Sequence, residues 1–79
     1  MKTKQLQFDN GVAEFRYEQN YVLCVLRPNP HPNINDFDMT IPLYAEVKQW
    51  LREQNHRRYS TLRYVDGETG FIIYSKKEY

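Results

Sequence analysis

The sequence predicts a two-layer α+β sandwich in the order βββαββ, with one helix on one face of a mostly antiparallel five-stranded sheet. Residues 42–55 are the only segment with a sustained helical period, and the segments on both sides alternate apolar and polar residues at period two. Two tight-turn signals, at Asn10-Gly11 and Gln19-Asn20, keep the apolar positions of three successive strands on one face. A chain of 79 residues is expected to form a single compact domain over residues 1–79.

The first three strands are predicted at 4–9, 12–18 and 21–27. Asn10 and Gly11 both tolerate the positive φ of a type I′ hairpin turn, so they are expected to form the first turn. The two turns predict the strand pairs Asp9–Val12, Phe8–Ala13, Leu6–Phe15, Tyr17–Val22, Phe15–Cys24 and Ala13–Leu26. The third strand is apolar on both faces, which is typical of a strand that lies centrally or is covered.

The third strand should stop at Pro28, because three prolines within five residues remove backbone donors and favour extended geometry. They predict a loop over 28–41, followed by a helix over 42–55 that is capped by Thr40 or Asp38 and has Pro42 in its first turn. The mostly apolar stripe of this helix is expected to cover the inner sheet face and consists of Leu43, Val47, Trp50, Leu51 and Gln54.

A C-terminal hairpin is predicted over about 58–65 and 70–76, around Asp66-Gly67-Glu68-Thr69, where the loop has either two or four residues. Its first strand should run parallel to the third strand, because a strand–helix–strand connection is normally a right-handed crossover. Alternation at period two puts one set of side chains on the inner face: Leu62, Tyr64, Phe71 and Ile73. The other set is predicted on the outer face: Tyr59, Thr61, Arg63, Val65, Ile72 and Tyr74.

The outer sheet face, which the helix leaves bare, is the predicted partner-binding site. Its candidate residues are apolar, aromatic or arginine side chains: Tyr21, Leu23, Tyr59, Arg63, Ile72 and Tyr74. Contiguous apolar patches with tyrosine and arginine are typical of protein interfaces. In the alternative, the loop over 28–41 covers this face or the strand order separates these residues.

The function expected from this surface is that of a small non-enzymatic intracellular protein-binding module of the inhibitor or adaptor type. A phage- or plasmid-encoded inhibitor of a host defence complex fits that description, and homodimerisation through the outer face is a further alternative. A single cysteine, Cys24, cannot form an internal disulfide, so a reducing, cytoplasmic location is expected. The first residues lack the apolar run of a signal peptide, and no membrane span is expected.

Nucleic-acid binding is the main alternative function. The C-terminal region contains the basic residues Arg57, Arg58, Arg63, Lys76 and Lys77. They are interleaved with tyrosines, whose rings could stack on nucleobases. The net charge of +1 and the absence of an RNA-recognition signature argue against a protein that coats nucleic acid.

Catalytic and metal-binding motifs are missing from the sequence. The candidate metal ligands His31, Asp36, Asp38 and His56 do not have zinc or calcium spacing, so no metal or cofactor is expected. Gly-x-Ser-x-Gly, Walker and HExxH motifs are absent, and Cys24 is expected to be a buried apolar filler. No catalytic residue is therefore predicted.

The predicted element order resembles the core of the acyl-CoA-dependent N-acetyltransferase superfamily. That family binds the cofactor pyrophosphate with a glycine-rich loop at the start of the corresponding helix. Here this segment reads NINDFDMTIP, with no glycine and two aspartates that would repel phosphate. The resemblance therefore implies a relic of such a core that has lost its cofactor, and no site residue is carried over from the family.

Overall fold

A five-stranded antiparallel sheet with one helix on its inner face forms the fold in a computed structural model that describes residues 2–28, 41–65 and 67–74. The elements are β1 (Lys2–Phe8), β2 (Gly11–Tyr17), β3 (Tyr21–Arg27), α1 (Pro42–Glu53), β4 (Arg63–Val65) and β5 (Glu68–Tyr74). The strand order is β1-β2-β3-β5-β4, and every neighbouring pair is antiparallel. The predicted α+β class and element order are confirmed.

The last strand, β5, lies between β3 and the short edge strand β4. Both β3 and β4 are antiparallel to β5, so β4 runs in the same direction as β3, as predicted. β5 fits this central position because its inner-face residues Phe71 and Ile73 are almost completely buried. The hairpin loop has two residues, so β5 begins at Glu68, two residues before the predicted start.

The hairpin between β2 and β3 has the predicted register. Tyr17 pairs with Val22 and Phe15 with Cys24, and the Glu18 N–H donates to the Tyr21 carbonyl over 2.9 Å at the turn. The predicted pair Ala13–Leu26 is also observed.

The hairpin between β1 and β2 is shifted by two residues from the predicted register. Phe8 pairs with Gly11, so the turn residues are Asp9 and Asn10, and the predicted Asn10-Gly11 turn is wrong. The backbone N–H groups of Asp9 and Asn10 each donate over 3.0 Å to the carboxylate of Glu46 on α1, which stabilises the observed turn. A shift of two residues leaves every side chain on its predicted face.

Gly11 carries the positive φ of this hairpin, at 149°, as the first residue of β2. A Cβ atom at this position would collide with the Arg27 carbonyl oxygen and crowd the Leu43 side chain. Both this φ and the packing against β3 and α1 therefore require glycine here, whereas the turn residues Asp9 and Asn10 do not have positive φ.

The helix α1 packs its apolar stripe onto the inner sheet face. Leu43, Val47 and Leu51 are buried as predicted, whereas Trp50 is only half-buried and Gln54 is exposed beyond the helix end. Tyr44 was not predicted in the stripe, yet it is 2% exposed and contacts the Phe71 ring edge-on at 5.3 Å. Tyr44 belongs to the buried stripe because it adjoins Leu43 on the side that faces β5.

The ends of α1 differ from the prediction at both termini. The N-cap is Ile41, without a side-chain hydrogen bond, rather than Thr40 or Asp38, which lie outside the described residues; Pro42 occupies the first turn as predicted. The helix stops at Glu53 because Asn55 adopts φ 66° and the His56 N–H donates to the Leu51 carbonyl over 2.8 Å. This 6→1 hydrogen bond is typical of a Schellman C-terminus.

A bulge before β4 changes the orientation of Tyr59. Tyr59 faces Ile73 and Arg63 faces Gly70, so four residue steps on one strand oppose three on the other. The Ile72 N–H donates over 2.9 Å to the Ser60 hydroxyl. The extra residue turns Tyr59 to the inner face, where its ring contacts that of Phe71 at 6.2 Å, and the predicted outer-face position of Tyr59 is wrong.

Candidate interaction surface on the outer sheet face

The outer sheet face carries five of the six predicted partner-binding residues. The pairs Tyr21–Tyr74 and Leu23–Ile72 place their side chains on this face, and Arg63 shares it through its pairing with Gly70. Tyr59, the sixth, packs against the core on the opposite face. The predicted clustering therefore holds for the residues of β3, β4 and β5.

The exposed part of this cluster is a tyrosine patch, defined here as Tyr21, Ile72 and Tyr74. Tyr21 and Tyr74 are directly opposite each other on neighbouring strands and are 36% and 53% exposed. Ile72 is half-buried two residues before Tyr74. Leu23, which was predicted to be exposed in this patch, is only 6% exposed, so it does not contribute to the exposed surface.

A closed ring of ion pairs occupies the neighbouring part of the outer face. We call this cluster the ionic ring; its members are Glu14, Arg16, Arg27 and Glu68. Arg16 lies 3.3 Å from Glu14 and 2.8 Å from Glu68. Arg27 lies 3.1 Å from Glu14 and 2.7 Å from Glu68, so each guanidinium joins both carboxylates.

The ionic ring crosses over β3 because its members come from β2, β3 and β5. Glu14 pairs with Val25, which in turn pairs with Gly70 on β5, a residue that has no side chain above the sheet. The guanidinium of Arg16 can therefore reach Glu68 across the strand between them. Val25, 2% exposed, lies beneath this bridge, which explains how β3 can be apolar on both faces.

Gly70 also allows β3 and β5 to approach closely. A Cβ atom at residue 70 would lie 2.5 Å from the Cys24 carbonyl oxygen, well inside van der Waals contact. Glycine is therefore needed at the point where the ionic ring passes over the sheet.

Ion pairing within the ionic ring favours the ionised forms of Glu14 and Arg16. Burial by itself would raise the pKa of Glu14, but hydrogen bonds from Arg16 and Arg27 outweigh burial and lower the pKa below its ordinary value. The hydrogen bond with Glu68, followed by that with Glu14, raises the pKa of Arg16. Both shifts favour the ionised forms of Glu14 and Arg16.

The predicted nucleic-acid-binding residues are dispersed along the last third of the chain. Arg57 and Arg58 are exposed between α1 and β4, and Arg63 is exposed on the outer face. Within residues 2–28, 41–65 and 67–74, no carboxylate forms an ion pair with these three arginines. The predicted residues Lys76 and Lys77 lie outside the described residues.

The groups considered for catalysis or metal binding are not assembled into a site in the described part of the chain. Cys24 is completely buried, and burial strongly raises the pKa of its thiol. Desolvation lowers the pKa of His56 below its ordinary value. No group of three His, Cys, Asp or Glu side chains suited to a metal occurs among the described residues, and His31, Asp36 and Asp38 lie outside them.

The ionic ring is the feature of the outer face that the sequence did not reveal. Glu14 and Arg16 are polar residues at alternate positions of β2, and no local pattern links them to Glu68, 52 positions further along the chain from Arg16. Opposite charges two residues apart on one strand face, as in Glu14 and Arg16, were the available signal.

Comparisons with known proteins identified no relative of this chain. Most of the segment compared above with the N-acetyltransferase loop lies outside the described residues. Within the part of the chain that the structure describes, no helix is long and apolar enough to cross a membrane. No protein-family model, no curated protein and no solved structure matches this chain.

Proposed function

We propose that this chain is a small non-enzymatic protein-binding module that occupies a partner's surface through its outer sheet face. The observation that carries the proposal is the exposed cross-strand pair of Tyr21 and Tyr74 on the face opposite the helix. Tyrosine buries a large apolar ring while its hydroxyl remains able to hydrogen-bond, so it is enriched at the energetic centres of interfaces.

The surroundings of the tyrosine patch suit a protein interface. Half-buried Ile72 adds apolar area, and exposed Arg63 lies on the same face towards the sheet edge. The ionic ring borders the patch through Arg16, which pairs with Leu23 on β3. An aromatic centre with charged groups at its margin is the usual composition of a binding hot spot and its rim.

We further propose an intracellular, cytoplasmic setting and an inhibitor or adaptor role. The supporting observations are that the single cysteine is buried as a free thiol and that no cluster of His, Cys, Asp or Glu suited to a metal occurs in the described residues. A protein of this kind acts by excluding or recruiting another macromolecule at the surface it covers.

The test of the proposed function is affinity capture with a tyrosine-patch variant. Tyr21→Ser combined with Tyr74→Ser should abolish capture of a specific protein from native lysate, because both exposed rings are removed while the core is left intact. Tyr64→Ser is the matched control, since Tyr64 is 44% exposed but lies on the other face. Equal capture by the double variant and the control would refute the proposal.

Nucleic-acid binding remains a second candidate function because Arg57, Arg58 and Arg63 are exposed and have no carboxylate partner among the described residues. Phosphate contacts release counterions, so binding should weaken steeply with salt. Arg57→Ala with Arg58→Ala should reduce the salt slope by about two, whereas Lys4→Ala with Lys48→Ala removes the same charge elsewhere and should not. Absence of a gel shift at low salt would exclude this candidate.

A further inference from the structure

A cavity of about 350 Å³ opens between the C-terminal half of α1 and the inner sheet face, on the side of the sheet away from the tyrosine patch. Its base is formed by Val22, Leu51 and Ile73, which are 5%, 0% and 2% exposed. The volume is within the range of small-molecule sites, and the base provides the apolar surface that such sites require.

Three aromatic side chains form the walls of the cavity. The rings of Phe15 and Trp50 are 5.4 Å apart and tilted by 42°, and Tyr17 lines the cavity beyond Phe15 on β2. Trp50 is only half-buried although it belongs to the apolar stripe of α1, because its ring borders this opening. These walls favour a flat aromatic ligand, which can stack against one ring and meet another edge-on.

Two of the residues that line the cavity, Lys2 and His56, have basic side chains. The Lys2 ammonium lies 5.9 Å from the centre of the Tyr17 ring, on the exposed edge strand. Desolvation lowers the pKa of His56, which disfavours the protonated form of its imidazole. Lys2 supplies the amino group among the described residues that line the cavity.

We propose that this cavity binds a small aromatic carboxylate, with its ring between Trp50 and Tyr17 and its carboxylate beside the Lys2 ammonium. The ring would bury the exposed edge of Trp50, and the carboxylate would remain at the mouth, where its charge is still hydrated. This site lies on the opposite face from the proposed protein interface, and the two proposals can succeed or fail independently.

The only tryptophan of the chain lies in the cavity wall, so its fluorescence reports binding directly. Titration with phenylpropanoate, excited where the probe does not absorb, should give a saturable change in Trp50 emission. Phenylpropanamide, which has nearly the same shape without the charge, should bind about fivefold more weakly, as expected for the loss of one exposed ion pair. Octanoate should bind more weakly than phenylpropanoate because it cannot stack.

Substitutions at Lys2 test the position of the carboxylate. Lys2→Gln should weaken phenylpropanoate about fivefold, to the level of the amide, and Lys2→Arg should retain the affinity. Lys4→Gln removes a neighbouring exposed charge that does not line the cavity and should leave the affinity unchanged. Tyr21→Ser with Tyr74→Ser should also bind the probe normally, which separates this result from that of the protein-capture test.

Four outcomes would overturn the inference. They are a linear, non-saturating response of Trp50, equal affinity for the acid and the amide, tighter binding of octanoate than of phenylpropanoate, and equal losses in Lys2→Gln and Lys4→Gln.

Discussion

The two faces of the sheet are covered by different chemistry. On the inner face, apolar side chains of α1 pack against apolar side chains of β2, β3 and β5. On the outer face, the ionic ring spans β3 at one place and the tyrosine patch stands exposed at another. A strand that is apolar on both sides is thus covered by a helix on one side and by charged groups on the other.

This difference assigns most of the folding free energy to the inner face and the proposed recognition to the outer face. Apolar packing is non-directional and roughly proportional to buried area, so the inner face should supply most of the free energy of folding. Ion pairs depend on geometry, pH and salt, and exposed tyrosines contribute little to folding. The outer face can therefore be changed at the tyrosine patch without loss of the fold, as a binding surface requires.

The largest expected effect is on the inner face, at Phe71, which is completely buried between Tyr44 and Tyr59. Phe71→Ala should destabilise the domain by about 3–5 kcal/mol, because it removes buried contacts and leaves a cavity. A domain of this size has a small free energy of unfolding, so urea denaturation should show that the variant is largely unfolded.

The adjacent residue Ile72 is the matched control, since it is half-buried on the outer face. Ile72→Ala should cost only about 1 kcal/mol, because much of its side chain is already in contact with water. Similar losses at Phe71 and Ile72 would mean that the two faces contribute equally to stability.

An intermediate effect is expected at the ionic ring. Glu14→Gln should cost about 1 kcal/mol at neutral pH, because Arg16 and Arg27 each lose one of two carboxylate partners. The folded-state pKa of Glu14 is lowered, so its contribution is present above the ordinary pKa of 4.5 and is lost as the pH falls through the folded-state value. The stability difference between wild type and Glu14→Gln should therefore shrink in acid.

Urea denaturation at pH 7 and at several values below 4.5 measures this difference. Glu46, whose pKa is also lowered, chiefly by a hydrogen bond from Asn10, titrates in both proteins and so cancels from the comparison. A difference that stays constant across this range would show that the Glu14 carboxylate does not contribute through its charge.

The smallest expected effect on stability is at the tyrosine patch. Tyr21→Ser with Tyr74→Ser should change the free energy of unfolding by only about 0.5 kcal/mol, because both rings are substantially exposed and the main loss is their cross-strand contact. Thermal unfolding measures this change. A loss comparable to that of Phe71→Ala would mean that the tyrosines are structural, and it would remove the basis of the proposed function.

Local sequence signals were sufficient wherever neighbouring segments determine the structure. The period of α1, the alternation along the strands and the turn at Gln19-Asn20 predicted the α+β class, the helix position and the register of β2 with β3. For the candidate site, the same alternation placed Tyr21, Ile72, Tyr74 and Arg63 together on one face, because side-chain direction along a strand depends only on parity.

The rule of alternating faces gave a wrong prediction where an extra residue interrupts the strand. Tyr59 lies beyond the bulge, and the Ser60 hydroxyl that accepts the Ile72 N–H has no distinguishing pattern in the sequence. One inserted residue reverses the face of everything before it, so a local rule assigned Tyr59 to the wrong side.

The sequence by itself determined which residues alternate, where the helix lies and which face it covers, because hydrophobic periodicity is a local property. Only the tertiary structure decided the turn at Asp9-Asn10, where Glu46 of α1 accepts two backbone N–H groups. It also decided that Arg16 and Glu68 meet across β3 and that Trp50 borders a cavity. These contacts join residues far apart in the chain, and their energy exists only once the strands and the helix are assembled.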